Sequence, residues 1–386
     1  MRFMVTNFAY GTGPYLRTTE VALAVNRERE SRGLERWGII VPLVYGAKQR
    51  RIMLEEFGEY VQEYPGEILL DQTLGDILTT VFYGDNTYAA ALEAWVDTYE
   101  RASREAHRHL VGYLELETLL GEHRDLRDVD FVIELSRAAR LSYRVAPIAN
   151  VTFGYISEIL RHALEEPESV IAVDRSLVRR AIVVAEEIEG GAEWHGLAEP
   201  STFSYLPARA LRYPTEEAIP PTIPPPSPDH ALMGDGIYVT VTGIPGLERL
   251  YREAEALGMK LYSNDPKAIP ASERLLPHAV VNPHIKLQFA RSGWGSVWLS
   301  QLSGTPLVVP DFDPADDPEI YFNNRCVEML GLGIVWRGQS LVEILADAEK
   351  LRPGIQKRNR DLERRFGTLD GNRYAAQRII DKFPIM

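Results

Sequence analysis

Seven of the seventeen residues in 214–230 are proline. Proline has no backbone N–H and a fixed φ, so this run cannot be a helix or a central strand. It reads as an extended, semi-rigid connector. It divides the chain into residues 1–213 and 231–386, with 214–230 as the linker, and each side must then build its own core. At 386 residues there is enough chain for two cores of ordinary size.

Both sides show the same alternation. In the first, residues 2–6 read as a strand, 10–14 (YGTGP) as a glycine turn, 18–30 as a helix and 37–43 as a buried strand. Further helices are expected at 48–59, 157–164 and 177–189, and strands at 67–70, 129–135 and 144–151. Residues 86–120 read as mostly helical, with Tyr88, Trp95, Tyr99 and Tyr113 as core aromatics. After the connector, strands are expected at 236–242, 259–262, 279–281, 285–290, 307–309 and 333–336. Helices are expected at 247–257, 296–303, 320–330, 341–351, 357–366 and 374–383, the last of them able to pack back on the first half. The expected fold class is α/β, with two Rossmann-like doubly wound parallel-sheet domains facing across a cleft.

Composition closes several routes. A formal net charge of −13 argues against a general nucleic-acid binder, because a phosphate backbone needs a basic surface. Cys326 is the only cysteine, which rules out an internal disulfide and argues against a Cys-based metal site. No apolar run approaches the ~18–20 residues that cross a bilayer, and no secretory pattern follows Met1, so a cytoplasmic protein is expected. Lys48, Arg50 and Arg51 form a small basic cluster that allows peripheral contact with a headgroup or phosphate. The sequence leaves the oligomeric state open. GTGPYL lacks the third glycine of the dinucleotide fingerprint, and there is no GxSxG, Walker loop or HExxH.

The chemistry concentrates in residues 291–310, RSGWGSVWLSQLSGTPLVVP. A strand leads in, Gly293 and Gly295 make a turn, a short helix follows, and Gly304 and Pro306 end it. Such a turn aims backbone N–H groups and the positive end of a helix at one place, which suits a phosphate. Arg291 adds a fixed positive charge and Ser296 a hydroxyl. A structural turn that binds nothing is the other reading of the same residues.

Residues 292–306 resemble the nucleotide-sugar signature of two-domain glycosyltransferases of the GT-B fold, most of all that of the plant natural-product enzymes. Gly293, Trp294, Ser296, Gly304 and Pro306 match that signature without a gap. Asn282–Pro283 falls where the family has a His-Pro pair, and Asp316–Asp317–Pro318 where it has Asp-Gln-Pro. The loop Gly11, Thr12, Gly13 resembles the acceptor-side glycine loop of the bacterial peptidoglycan N-acetylglucosaminyltransferase.

The resemblance implies a hexosyltransferase that needs neither metal nor cofactor. It would take a nucleoside-diphosphate sugar, UDP-linked, as donor and a small molecule, lipid or glycan as acceptor. Ser292, Gly293, Trp294 and Gly295 would admit the diphosphate, with Arg291 and Ser296 binding its oxygens. Asp316 and Asp317 would accept from sugar hydroxyls, and Thr242, Gly243 and the Gly11–Gly13 loop would complete the binding surface. A metal role for Asp311, Asp313, Asp316 and Asp317 is the less favoured reading.

Three departures stand out. The family's ribose-binding Glu is Leu299 here, its Asn is Gly295, and its N-terminal catalytic His is absent. Tyr15 and Glu134 are the expected bases in its place, with His107 and His109 as alternatives. Tyrosine is a poor base at its usual pKa of about 10. A nucleotide-sugar epimerase or hydrolase, and a non-catalytic nucleotide- or sugar-binding protein, are the alternative functions.

Overall fold

A computed structural model describes residues 1–9, 11–81, 87–240 and 246–383. The first sheet has nine strands: β1 (Phe3–Phe8), β2 (Gly38–Pro42), β3 (Ile68–Asp71), β4 (Leu114–Thr118), β5 (His123–Leu126), β6 (Phe131–Arg137), β7 (Ile148–Thr152), β8 (Trp194–Ala198) and β9 (Glu216–Ile219). Their order is β5-β4-β3-β2-β1-β6-β7-β8-β9, parallel throughout except where β4 pairs with β3 and β5. Every residue of β1, β2 and β3 is buried, as helices on both faces of a parallel sheet require. Those helices are α1 (Thr12–Ser31), α2 (Gly46–Glu63), α3 (Gln72–Thr79), α4 (Tyr88–Leu110), α5 (Ile156–Glu165) and α6 (Arg175–Gly190).

The second sheet is wholly parallel. It contains β10 (Gly236–Val239), β11 (Lys260–Ser263), β12 (Glu273–Arg274), β13 (Ile285–Phe289), β14 (Leu307–Pro310) and β15 (Gly333–Trp336), in the order β12-β11-β10-β13-β14-β15. Its helices are α7 (Leu247–Ala256), α8 (Trp294–Ser303), α9 (Pro318–Met329), α10 (Leu341–Phe366) and α11 (Gly371–Lys382). In each sheet the strand order reverses beside the first strand, at β1/β6 and at β10/β13. Crevices for ligands form at such switch points, beyond the carboxyl ends of the strands. The fold is two Rossmann-like α/β units facing across a cleft.

Several elements differ from expectation. The glycine turn at 10–14 is largely the first turn of α1, because Pro14 is tolerated there. The alternating run LELET forms β4, and the β4–β5 hairpin ends the long helical region earlier than expected. Residues 279–281 belong to a 3-10 helix started by Pro277. Pro353 lies inside an unbroken α10, where Arg352 grips the carbonyls of Gly304 (3.1 Å) and Lys286 (2.7 Å). The proline run begins inside the first unit: β9 is an edge strand of that sheet, and residues 219–223 are buried.

The two units share one apolar seam. Trp194, Ala198, Ile219 and Ile223 of the first cluster with Trp294, Trp298, Leu307 and Val309 of the second. Polar bonds cross it as well. Trp298 Nε1 donates to the Pro200 carbonyl at 2.9 Å, and Arg325 pairs with Glu166 at 2.7 Å. Helix α11 returns to α1, where Arg32 pairs with Asp381 at 2.7 Å.

Candidate functional site

The carboxyl ends of both sheets enclose a cleft of about 530 Å³. From the first unit it is lined by Ala9, the start of α1 (Gly13, Pro14, Arg17), Arg137 at the end of β6, and Phe153 after β7. From the second it is lined by Thr240, by Arg291 with the start of α8, and by Asp316, Asp317, Glu319 and Ile320. Most of the expected donor-side residues therefore meet in one place.

The start of α8 is bare. No side chain caps it, so the N–H groups of Trp294 and Gly295 are left to a ligand or to water, while the Ser296 N–H donates to the Gly293 carbonyl at 2.9 Å. Gly293 has φ −64° and Gly295 is helical, so neither backbone demands glycine. A Cβ added at either would meet nothing within 4 Å. What glycine supplies here is open space toward the cleft rather than a tight turn. Ser296 lines the cleft beside them.

Two neighbours are spent on structure instead. Ser292 is fully buried, and its hydroxyl donates to the Ile320 carbonyl at 3.4 Å. Trp294 is 2% exposed, and its indole N–H is shared between Asn323 Oδ1 (2.8 Å) and Thr202 Oγ1 (3.1 Å). Its ring thus ties the units together and is not free to stack on a base. Trp294 contributes backbone to the cleft, at the first position of α8.

Arg291 is exposed at the rim and pairs with Asp316 at 2.9 Å. Asp317 caps α9 by accepting from the Glu319 N–H at 2.9 Å, and Asp316 accepts from the Asp317 N–H at 2.8 Å. Both carboxylates line the cleft; both oxygens of Asp316 are engaged, Oδ1 by the Asp317 N–H and Oδ2 by Arg291, and Asp317 Oδ1 holds the Glu319 N–H. Among the described residues, no group of three His, Cys, Asp or Glu side chains could hold a metal ion. Glu319 accepts from Asn323 Nδ2 at 3.0 Å. Burial, and then the Asp317 carboxylate, raise its pKa above the ordinary range.

The expected bases lie elsewhere. Tyr15 is 1% exposed, packed between Phe8 and Tyr45, and burial pushes its phenol up to about 12. It cannot serve as a base at neutral pH. Glu134 sits in the middle of β6, fully enclosed, accepting from Asn7 Nδ2 at 2.7 Å. Burial raises it to about 7, and its position holds it away from the cleft lining. His107 Nδ1 meets the Tyr143 carbonyl at 3.0 Å, and His109 Nε2 meets Asp71 at 2.8 Å, so both are structural.

In the glycine loop, Gly13 lines the cleft, while the Gly11 N–H donates to the Tyr45 hydroxyl at 2.6 Å. Gly11 has φ 118°, which only glycine adopts readily. Thr12 is exposed and outside the cleft lining. Thr242 and Gly243 lie outside the described residues. Leu299 packs on Tyr238, Tyr262, Val280 and Ile285, so it contributes no acceptor where the resembled family has Glu.

The fold adds Arg137 and Glu319, which the sequence alone does not single out. Arg137 closes the strand that holds Glu134, three residues nearer the crevice. Its position on the switch-point strand β6 was the available signal.

No protein-family model matches the chain, and no curated protein sequence matches it. Solved structures do. A UDP-glucosyltransferase from Polygonum tinctorium superposes with a TM-score of 0.62 at 12% identity, covering 100% of this chain and 99% of its own. UGT2 of Phytolacca americana, solved in complex with UDP-2fluoro-glucose and pterostilbene, gives 0.60 at 12% identity, covering 100% of both chains. The glycosyltransferase SnogD of Streptomyces nogalater gives 0.55 at 15%, covering 99% of each. At such identities the likeness is one of fold, and this chain has the GT-B fold of those enzymes.

Proposed function

We propose that the protein is a glycosyltransferase. It takes a sugar from a nucleoside-diphosphate donor, UDP-linked, bound by residues 231–386. It passes that sugar to a small-molecule, lipid or glycan acceptor bound by residues 1–213, with the join between the two parts inside 214–230. The observation that carries this reading is the uncapped start of α8, with open space at Gly293 and Gly295, beside Arg291 in a cleft walled by both units. The shared fold supports it, since UGT2 binds both a UDP-sugar analogue and pterostilbene on that fold.

In this reading the departing diphosphate gathers negative charge against the N–H groups of α8 and the Arg291 guanidinium. Fixed dipoles and a cation stabilise such charge without a metal. Asp316 and Asp317, which line the cleft, accept from sugar hydroxyls through lone pairs beyond those their present bonds use. Glu319 lines the cleft, and burial raises its pKa to about 8; we assign its ionised form as the proton acceptor for the acceptor hydroxyl, a role that grows as pH rises through 8. A second reading, a nucleotide-binding protein without transfer, is favoured by Leu299 and by the absence of His from the cleft lining.

A thermal-shift panel of nucleoside diphosphates and nucleotide sugars tests the donor site. Stabilisation by at least one member, lost in Arg291→Ala, is expected, and a shift that survives that change places the phosphate elsewhere. Release of nucleoside diphosphate only when an acceptor is added marks a transferase. Release without acceptor marks a hydrolase, and binding without turnover marks the second reading.

A further inference from the structure

The first-unit wall of the cleft carries two guanidinium groups, Arg17 and Arg137. Arg137 is 2% exposed. Its Nε donates to the Val151 carbonyl at 3.1 Å and its Nη2 to the Thr222 hydroxyl at 2.5 Å, both neutral acceptors. Among the described residues no carboxylate lies within ion-pair distance of it. The acidic group nearest in influence is Glu20, which Arg17 already holds at 2.5 Å and Asn372 Nδ2 reaches at 3.4 Å. Burial raises the Glu20 pKa, against the Arg17 charge, which lowers it. Two cations thus stand near one carboxylate, and that carboxylate is paired with Arg17. Burial and the Arg17 charge pull the Arg137 guanidinium down to about 9, which leaves it cationic at neutral pH.

A buried guanidinium without a counter-charge is costly, and the cost is relieved when a ligand supplies the anion. The ligand side is open: a Cβ at Gly13, on the same wall, would meet nothing within 4 Å. The donor phosphates have their own partners on the facing wall, at Arg291 and α8. The first-unit cations are therefore available to another molecule, and a planar guanidinium fork matches carboxylate and phosphate oxygens.

We propose that Arg17 and Arg137 form an oxyanion subsite, so that the acceptor carries a carboxylate or a phosphate besides the hydroxyl that receives the sugar. The word "acceptor" rests on the glycosyl-transfer reading; the subsite itself does not. The test uses isothermal titration of 4-hydroxybenzoate, its neutral methyl ester and phenyl phosphate into the full chain, with and without saturating UDP. At least one oxyanion should bind tenfold or more tighter than the ester, and which one does so distinguishes carboxylate from phosphate. That preference should fall to within twofold in Arg137→Met and in Arg17→Gln, while UDP affinity stays within twofold of wild type. Should Arg137→Met fail to fold, the half-buried Arg17→Gln carries the same comparison. Equal binding of ester and oxyanions, a preference that survives the variants, or competition between oxyanion and UDP overturns the proposal. If UDP does not bind but the arginine-dependent preference remains, the donor reading fails and the subsite stands.

Discussion

Gly295→Val separates binding from folding at the start of α8. The added side chain meets no protein atom within 4 Å of its Cβ, and the helical backbone there accepts any L residue. Glycine within a helix is roughly 0.5–1 kcal/mol worse than alanine, and valine recovers part of that difference. Stability should therefore hold or rise slightly, with the melting temperature moving by no more than about 2 °C. Binding should suffer, because the side chain projects into the space a phosphate needs to reach the backbone. Losing one hydrogen bond to a charged group costs about 1.5–3 kcal/mol, which is about ten- to a hundredfold in affinity. Isothermal titration with UDP reads the affinity, and differential scanning fluorimetry the stability. Gly354→Ala, at an exposed and equally open glycine inside α10, is the control: it should stabilise the protein and leave UDP binding alone. Unchanged UDP affinity in Gly295→Val would refute the idea that phosphate contacts bare backbone there. A large loss of stability would show that the glycine serves packing.

Trp294→Phe removes an indole N–H that two buried oxygens share, on Thr202 and Asn323. It should cost about 1–3 kcal/mol in urea unfolding, and a cost below about 0.5 kcal/mol would contradict the assigned role. Glu134 has a folded pKa raised by burial to about 7, so its contribution is fully present below the unfolded value of about 4.3 and is lost as pH rises through 7. Each pH unit of that window is worth ~1.4 kcal/mol at most. Glu134→Gln should flatten this part of the stability–pH curve, and an unchanged slope would contradict the cause given. Tyr15→Phe should keep transfer rates within about twofold across pH, because the buried phenol titrates near 12; a tenfold loss would return it to the mechanism.

Much of the architecture is legible in the sequence because apolar strands, glycine turns and amphipathic helices follow local rules. The run at 291–310 and its partner aspartates do border one crevice, since strand ends in such sheets converge there. The misses have physical causes. Strand β9, sequence EEAI, is polar because it forms a sheet edge, and it follows a proline that looks like the start of a linker. Strand β8 is short and contains glycine, which weakens a strand pattern. Tyr15 and Glu134 suit a base by residue type and by closeness to a loop or strand end. Which way each side chain points depends on helix phase and sheet register, and these bury both. Arg137 escapes notice because a single arginine in an apolar run carries no motif. Only the fold shows that it is buried at the cleft without a carboxylate.

A crystal structure of the protein soaked with UDP tests the central claim most directly. The account predicts pyrophosphate density within hydrogen-bonding distance of the Gly295 backbone N–H and the Ser296 hydroxyl, with the Arg291 guanidinium turned onto it. UDP density in any other cavity, with the start of α8 left unoccupied, would contradict it.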